Sequence, residues 1–335
     1  MTIEATQKKI LLVGAGAVGS IYGWRLQQAG CSVSVVCRSN YKVVKESGFQ
    51  IDSTFYGKDS FKPNAVFSSC KQAAEELPEG YDFILVCTKI LPDILNPAII
   101  LKDCAVNEKS TIVLIQNGIG IEKYYAEMFP SNKLITSIAH VFTKQVKTGV
   151  ISQVDQASLI FNVFKQNPDQ IISEEENIIL EEFKDFLTRG KVNAKIEENI
   201  QRERWVKIVW NISISPVSVL TVGSNTRELL DCPETRNLLL ESMHEAIRVG
   251  EAVINKPLTD TPSTELPKQI LDKVDNLPEP FYPSMMIDMQ NKRPMEIQVI
   301  VKNVIDYANN LNINVPILQT MYALLALIQK KNLNN

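Results

Sequence analysis

Three polar residues recur on one helical stripe of the sequence. Lys207, Asn211 and Ser215 stand at i, i+4 and i+8 in WVKIVWNISIS, so they line one face of a helix. Trp205, Val206, Ile208, Val209, Trp210 and Ile212 surround them. A lysine amid that much apolar surface either snorkels its ammonium to water or is held for chemistry. The chemistry would be proton donation to an oxygen that gains charge, with amides such as Asn211 fixing the reacting molecule. A second constellation is Gly14-Ala15-Gly16-Ala17-Val18-Gly19, a G-x-G-x-x-G spacing in a chain with only 14 glycines among 335 residues. It follows the apolar run KKILLV and opens a helical pattern, the context in which the spacing has meaning. Gly14 permits a tight turn, Gly16 lets backbone approach a pyrophosphate, and Gly19 lets helix and strand pack closely. The helix N-terminus adds N–H donors and partial positive charge. The bland alternative is a glycine turn that holds nothing.

Three strand ends refine this reading. The second strand ends in Val35-Val36-Cys37-Arg38-Ser39-Asn40, with no carboxylate to bind a ribose diol. Arg38 can take a 2′-phosphate bidentately, so NADP is expected rather than NAD. The alternative is a solvated surface arginine. Cys87-Thr88-Lys89 and Gln116-Asn117-Gly118 each follow an apolar run of strand length. Ligands sit at the carboxyl ends of strands in open α/β sheets, so Lys89 and Asn117 are candidate contacts. The competing readings are a helix cap for Thr88 and a plain turn for Asn117-Gly118.

These groups need a scaffold, and the pattern supplies one. Lys9–Val13, Ser32–Cys37, Phe83–Cys87 and Thr111–Ile115 are short apolar runs, suited to a parallel sheet covered on both faces. Helical patterns fall at 17–29, near 90–103, at 120–128 and at 174–188, and 149–163 reads as one or two further strands. The fold class is therefore α/β, a doubly wound sheet. From about residue 200 the pattern is helical: 202–214, 234–255, 284–310 and 316–331. A proline-rich stretch from Pro257 to Pro283 interrupts it, with one short helix expected around 265–274. The expected domains are 1–200, binding dinucleotide, and 201–335, helical and binding substrate. A cleft between them is the default ligand site.

Composition narrows the class. Apolar residues make up 45% and charged residues 22%, an ordinary globular balance. Lysine and arginine total 35 against 38 acidic residues, so no basic excess supports nucleic-acid binding. Two histidines leave little for a histidine-rich metal site, and no metal is expected. The six cysteines form no CxxC pair and sit in apolar runs, which suits reduced thiols in the cytoplasm. The start, MTIEATQKK, is polar and unlike a signal peptide. No apolar run reaches the roughly 18 residues of a membrane helix. Helices 234–255 and 316–331 are apolar enough to bury each other or a second copy, so a homodimer is allowed.

Taken in order along the chain, these motifs resemble the ketopantoate reductase (2-dehydropantoate 2-reductase) family. The likeness runs from Gly14 to about Leu327. It rests on GAGAVGS at 14–20, the Arg38 strand end, VCTK at 86–89, QNG at 116–118, ERWVKIVWN at 203–211, SMMIDMQNKRPMEI at 284–297 and VPILQTMYALL at 315–325. The resemblance implies a Rossmann-type domain followed by an all-α C-terminal domain, as in 6-phosphogluconate-dehydrogenase-like proteins. It implies NADPH-dependent reduction of a small-molecule 2-oxo acid, ketopantoate to pantoate, in pantothenate and coenzyme A biosynthesis. Lys207 then becomes the proton donor. Asn117, Asn211 and Asn225 become substrate-side asparagines, Ser284 holds the substrate carboxylate, and Glu296 lies near cofactor ribose and substrate hydroxyl. Lys89 and Arg38 become cofactor residues.

Two departures touch the substrate side. Ser215 stands where the family has a further asparagine, and Met286-Ile287-Asp288 replaces a leucine and a glutamine before the aspartate. Ser284 follows Pro283 and could cap a helix. A continuous helix would place Ser284 and Glu296 about 120° apart, off one narrow stripe. The alternatives are a related reductase of another small oxo acid or imine, and a non-enzymatic NADP(H)-binding sensor. The sensor need not keep Lys207, Asn211 and Glu296 together.

Overall fold

The computed structural model describes residues 7–104, 108–167, 170–277 and 279–334. Most of the polar start read above precedes Gln7 and lies outside the described residues. The chain divides into two compact units. The first holds the described residues of Met1–Lys89, with Asn96–Gln116 and Glu122–Ile200. The second holds Ile90–Leu95, Asn117–Ile121 and the described residues of Gln201–Asn335.

The first unit contains strands β1 (Lys9–Val13), β2 (Ser32–Val36), β3 (Phe49–Ser53), β4 (Gly57–Phe61), β5 (Ala65–Phe67), β6 (Phe83–Val86), β7 (Thr111–Leu114), β8 (Leu134–Lys147), β9 (Val150–Val163) and β10 (Asn193–Ile196). Its helices are α1 (Ala17–Gln28), α2 (Tyr41–Ser47), α3 (Cys70–Glu76), α4 (Glu122–Met128) and α5 (Glu174–Arg189). Strands β5-β2-β1-β6-β7-β8 pair in that order, all parallel. This is the doubly wound arrangement, and its order reverses between β1 and β6, where such sheets bind ligands. Strands β6 and β7 are buried along their whole length, as continuous apolar runs require.

The sheet does not stop there. Antiparallel pairing joins β8 to β9, β9 pairs parallel to β3 and β10, and β3 closes a hairpin with β4. The sequence shows β9 but hides β4, because GKDSF is polar and exposed over four of its five residues. Such charged edges resist pairing with other chains. The outer half of β8 is also largely exposed and is held by its ladder with β9. The helix expected near 90–103 is corrected to a short 3₁₀ turn at Pro97–Leu101. Pro92 and Pro97 break the pattern, and the Asn96 side chain accepts the Ala98 N–H.

The core of this unit explains one buried charge. Arg25, within α1, is 7% exposed. Its Nε donates to the Gly190 carbonyl at 2.6 Å, and its guanidinium lies over the Trp24 and Tyr56 rings. Hydrogen bonding and ring contact offset the desolvation that burial costs. Elsewhere in this core, α5 packs Phe183 against Phe83 and Phe161, with ring centres 5.3 and 5.2 Å apart.

The second unit contains α6 (Ile200–Leu220), α7 (Thr226–Asp231), α8 (Pro233–Ile254), α9 (Leu266–Asp275), α10 (Ser284–Gln290), α11 (Asn303–Asn310) and α12 (Pro316–Asn334). The first residue of α6, Ile200, is the last of the first unit. The single helix expected over 284–310 is corrected to two, α10 and α11, with a π-helical turn at Gln298–Lys302 leading into α11. The break is local: Lys292 takes φ 51°, Arg293 N–H donates to the Asp288 carbonyl, and Pro294 lacks a donor. The 120° relation between Ser284 and Glu296 therefore does not exist. Helix α6 continues to Leu220 with Pro216 inside it, longer than the 202–214 pattern implied.

In this unit α6 meets α8 and α11 at Trp205. Trp205 meets Tyr307 edge to face at 6.0 Å, and an added Cβ at Gly250 would lie 2.8 Å from the Trp205 ring. Glycine at 250 is thus what lets α8 approach α6. The buried Glu245 carboxylate accepts the Ile317 and Leu318 N–H groups, placing negative charge at the N-terminus of α12. No helix among the described residues is long and apolar enough to cross a membrane.

Candidate active site

In the first unit the glycine motif forms a cradle at the end of β1. Gly14 takes φ +97°, and a Cβ there would lie 2.7 Å from the Thr88 nitrogen. A Cβ on Gly19 would lie 2.4 Å from the Gly14 carbonyl oxygen. Both positions therefore need glycine to keep loop, strand and helix together. Gly16 differs: a Cβ there would meet nothing within 4 Å. Its bareness serves the space outside the protein, as a close approach by a ligand requires. Gly16 is also the N-cap of α1, with no side-chain cap and no acidic residue in the first turn. The first-turn N–H groups of a helix lack intrahelical acceptors, so this end suits a phosphate.

The neighbouring strand ends complete the cradle. Register pairs Val13 with Val36 and with Val86, so the segments after β2 and β6 flank the glycine loop. Arg38 and Ser39 are exposed beyond β2, and no carboxylate lies between Val36 and Asn40. Lys89 is exposed beyond β6. Gln116 ties β7 to this edge by donating from Nε2 to the Thr88 carbonyl at 2.8 Å. Asn40 is a residue the sequence reading passed over. It is 6% exposed, and its Nδ2 donates to the Ala15 carbonyl at 2.8 Å, strapping the glycine loop from the side. Nothing near it along the chain marks that bond, which spans 25 residues. Open space at Gly16, an uncapped helix end and a cationic β2 end fit a phosphorylated dinucleotide.

In the second unit Lys207 is half-buried on α6. Burial is the main cause that pushes its ammonium down from 10.5 to about 8. Arg204, one turn earlier, adds repulsion, and Glu296 opposes both. Glu296 precedes the π-helical turn, and its Oε1 accepts the Ile90 N–H at 3.0 Å. The Ile90–Leu95 segment is held further by Gln329, which donates to Asp93 and accepts the Met295 N–H. Asn117 also belongs to this unit. Its neighbour Gly118 takes φ +105°, with a Cβ position 2.5 Å from the Val299 Cβ. Arg204 Nη1 donates to the Gly118 carbonyl at 3.1 Å, and Asn303 Nδ2 donates to the Ile119 carbonyl at 2.7 Å.

The remaining expected residues lie along the same unit. Asn211 is half-buried and Ser215 is 5% exposed on α6. Asn225 caps α7, its Oδ1 accepting the Arg227 and Glu228 N–H groups. Ser284 is exposed as the first residue of α10, where Pro283 takes the cap position, so the alternative reading of Ser284 as the cap does not hold. Pro283 takes φ -58°, within the range its ring fixes, and has no side chain that could cap the helix. Thr226, next to Asn225, donates its N–H to the Phe281 carbonyl, its hydroxyl accepts the Phe281 N–H, and Phe281 stacks on Trp210 at 5.9 Å. Among the described residues, no group of three or more His, Cys, Asp or Glu could hold a metal ion.

A doubly wound sheet with this glycine cradle, followed by helices carrying a depressed lysine, defines a dinucleotide-dependent oxidoreductase. The family model described as ketopantoate reductase PanE/ApbA matches residues 10–166, and its C-terminal model matches 199–329. The chain is 26% identical to a 2-dehydropantoate 2-reductase of Nostoc sp., covering 97% of each chain. It superposes on the 2-dehydropantoate 2-reductase of Methylococcus capsulatus with a TM-score of 0.81, at 31% identity over 96% of this chain and 97% of that one. D-mandelate dehydrogenase, solved with NADH and anilino(oxo)acetate, shares the fold with a TM-score of 0.82 at 19% identity, over 97% and 99% of the two chains. The chain belongs to the ketopantoate reductase family, whose members are NADP-dependent oxidoreductases.

Proposed function

We propose that this protein reduces 2-dehydropantoate to pantoate with NADPH, on the route to pantothenate and coenzyme A. The observation that carries the reading is the cluster in the second unit, where Lys207 lies near Glu296 and Arg204 and the Asn117 turn is bonded to Arg204. Gly14, Ala15, Gly16, Ala17, Val18 and Gly19 hold the pyrophosphate, and Arg38 and Lys89 bind the remaining cofactor phosphate and ribose. Bound NADPH supplies the hydride. Lys207 hydrogen-bonds the substrate carbonyl oxygen, stabilises the charge that develops there and gives it the proton. An ammonium brought down to about 8 is still charged at neutral pH and yields its proton more readily than an ordinary lysine.

The other residues orient. Asn117, Asn211 and Asn225 bond substrate oxygens, Ser215 lies beside Asn211 on the helix stripe, and Ser284 takes the carboxylate. Glu296, fixed by the Ile90 N–H, meets cofactor ribose and substrate hydroxyl. Reduction of another small 2-oxo acid is the second reading, favoured by Ser215 and Ile287 at positions where the family carries amides. The reading also puts the protein in the cytoplasm as a homodimer, with Leu324 and Leu327 of α12 half exposed. Sedimentation would test the dimer. NADPH oxidation with a panel of 2-oxo acids tests the reaction, and a preference for ketopantoate is expected. Turnover of none of them would refute it.

A further inference from the structure

We propose that Arg204 is a positioning residue for the reaction put forward above: its guanidinium holds the Asn117–Gly118 turn on α6, giving Asn117 a fixed place relative to Lys207 one turn along the same helix. The inference rests on that functional reading for its consequences in catalysis, but not for the clamp itself.

The geometry begins with the chain path. Asn117 follows β7, a strand of the first unit, yet the Asn117–Ile121 segment belongs to the second. Three bonds account for this. Ile119 N–H donates to the Val299 carbonyl at 2.9 Å, Asn303 donates to the Ile119 carbonyl, and Arg204 donates to the Gly118 carbonyl. Two of the three come from the 299–303 segment. Arg204 alone among these partners shares a helix with Lys207. Gly118 makes the approach feasible, because any Cβ would strike Val299.

Burial of Arg204 argues that the guanidinium has a use. It is 3% exposed, and it lies where its charge opposes that of Lys207. A buried cation beside another cation is costly, and an apolar residue of similar volume would often be as stable or more so. What an apolar residue cannot do is bond the Gly118 carbonyl. Among the described residues, Arg204 from its own helix and Glu296 from the segment before α11 both act on Lys207 through their charge.

The test compares wild type with Arg204→Met, which keeps length but has no donor. Hydrogen exchange is followed in substrate-free protein, and kcat/KM is measured with and without Asn117→Ala. Loss of the bond should speed exchange in peptides covering 117–121 by about tenfold or more, with α8 and α12 unchanged. It should lower kcat/KM about tenfold in the wild-type background and less than about twofold in the Asn117→Ala background, because the two residues act as one unit. Unchanged exchange at 117–121 would overturn the proposal. So would a loss of kcat/KM that persists undiminished without Asn117. Arg204→Leu, which also has no donor, is read by the same criteria if the methionine variant does not fold. A wild type inactive toward every 2-oxo acid would refute the proposed reaction, and the exchange result would still decide the clamp.

Discussion

In the proposed reaction Lys207 carries the chemistry, and its environment makes that checkable by pH. The acid form donates the proton, so kcat should be full below about 8 and fall as pH rises through it. Lys207→Ala should lower kcat by at least about 100-fold while leaving NADPH affinity nearly unchanged. Lys207→Arg should also be poor, since a guanidinium scarcely releases a proton. Stability has its own sign. The native lysine loses its proton near 8 and the unfolded one near 10.5, so the unfolded chain binds more protons between these values. Stability from this group therefore rises with pH across that window, and the penalty is complete below it. Lys207→Met should raise the melting temperature at pH 7, read by calorimetry; a fall would mean that the ammonium is there for the fold. At the cofactor end, Arg38→Ala should weaken NADPH binding about 10- to 100-fold, the worth of a charge-assisted contact, and hardly move NADH. An equal loss for both cofactors would remove Arg38 from the site.

At the scale of elements, the glycines of the first turn separate two demands. Gly19→Ala puts a Cβ against the Gly14 carbonyl and should destabilise by about 1–3 kcal/mol. Gly16→Ala meets no protein atom, so stability should fall by no more than the about 1 kcal/mol that glycine is worth over alanine at an N-cap, while NADPH binding weakens. Paired thermal melts and cofactor titrations distinguish them; a large loss of stability at Gly16 would contradict the open cradle. The motif was legible because all three glycines lie close together in the chain after an apolar run. Asn40 was not, because its partner, the Ala15 carbonyl, is 25 residues away and nothing local signals the bond. The clamp from Arg204 to Gly118 spans 86 residues and is equally silent in sequence. The split of 284–310 turned on Pro294 and the positive φ of Lys292, which apolar periodicity alone does not weigh.

For the whole molecule, alternation of short apolar runs with helical patterns was enough to read β1, β2, β6 and β7 of the parallel sheet and the change to helices near residue 200. The β3–β4 hairpin and the long outer β8 strand escaped, since polar exposed strands are specified by their partners rather than by their own pattern. Cofactor binding gives a test at this scale. NADPH at 100 times its Kd should stabilise the fold by about 2.7 kcal/mol, visible as a rising melting temperature. NADH at the same concentration should shift it less; equal shifts would contradict recognition of the 2′-phosphate. The most direct measurement is NADPH oxidation by the wild type and Lys207→Ala across a panel of 2-oxo acids that includes ketopantoate. Turnover of ketopantoate by the wild type, lowered at least about 100-fold in the variant, is the expected result. Near-full turnover by Lys207→Ala, or no turnover by the wild type on any acid, would contradict the account.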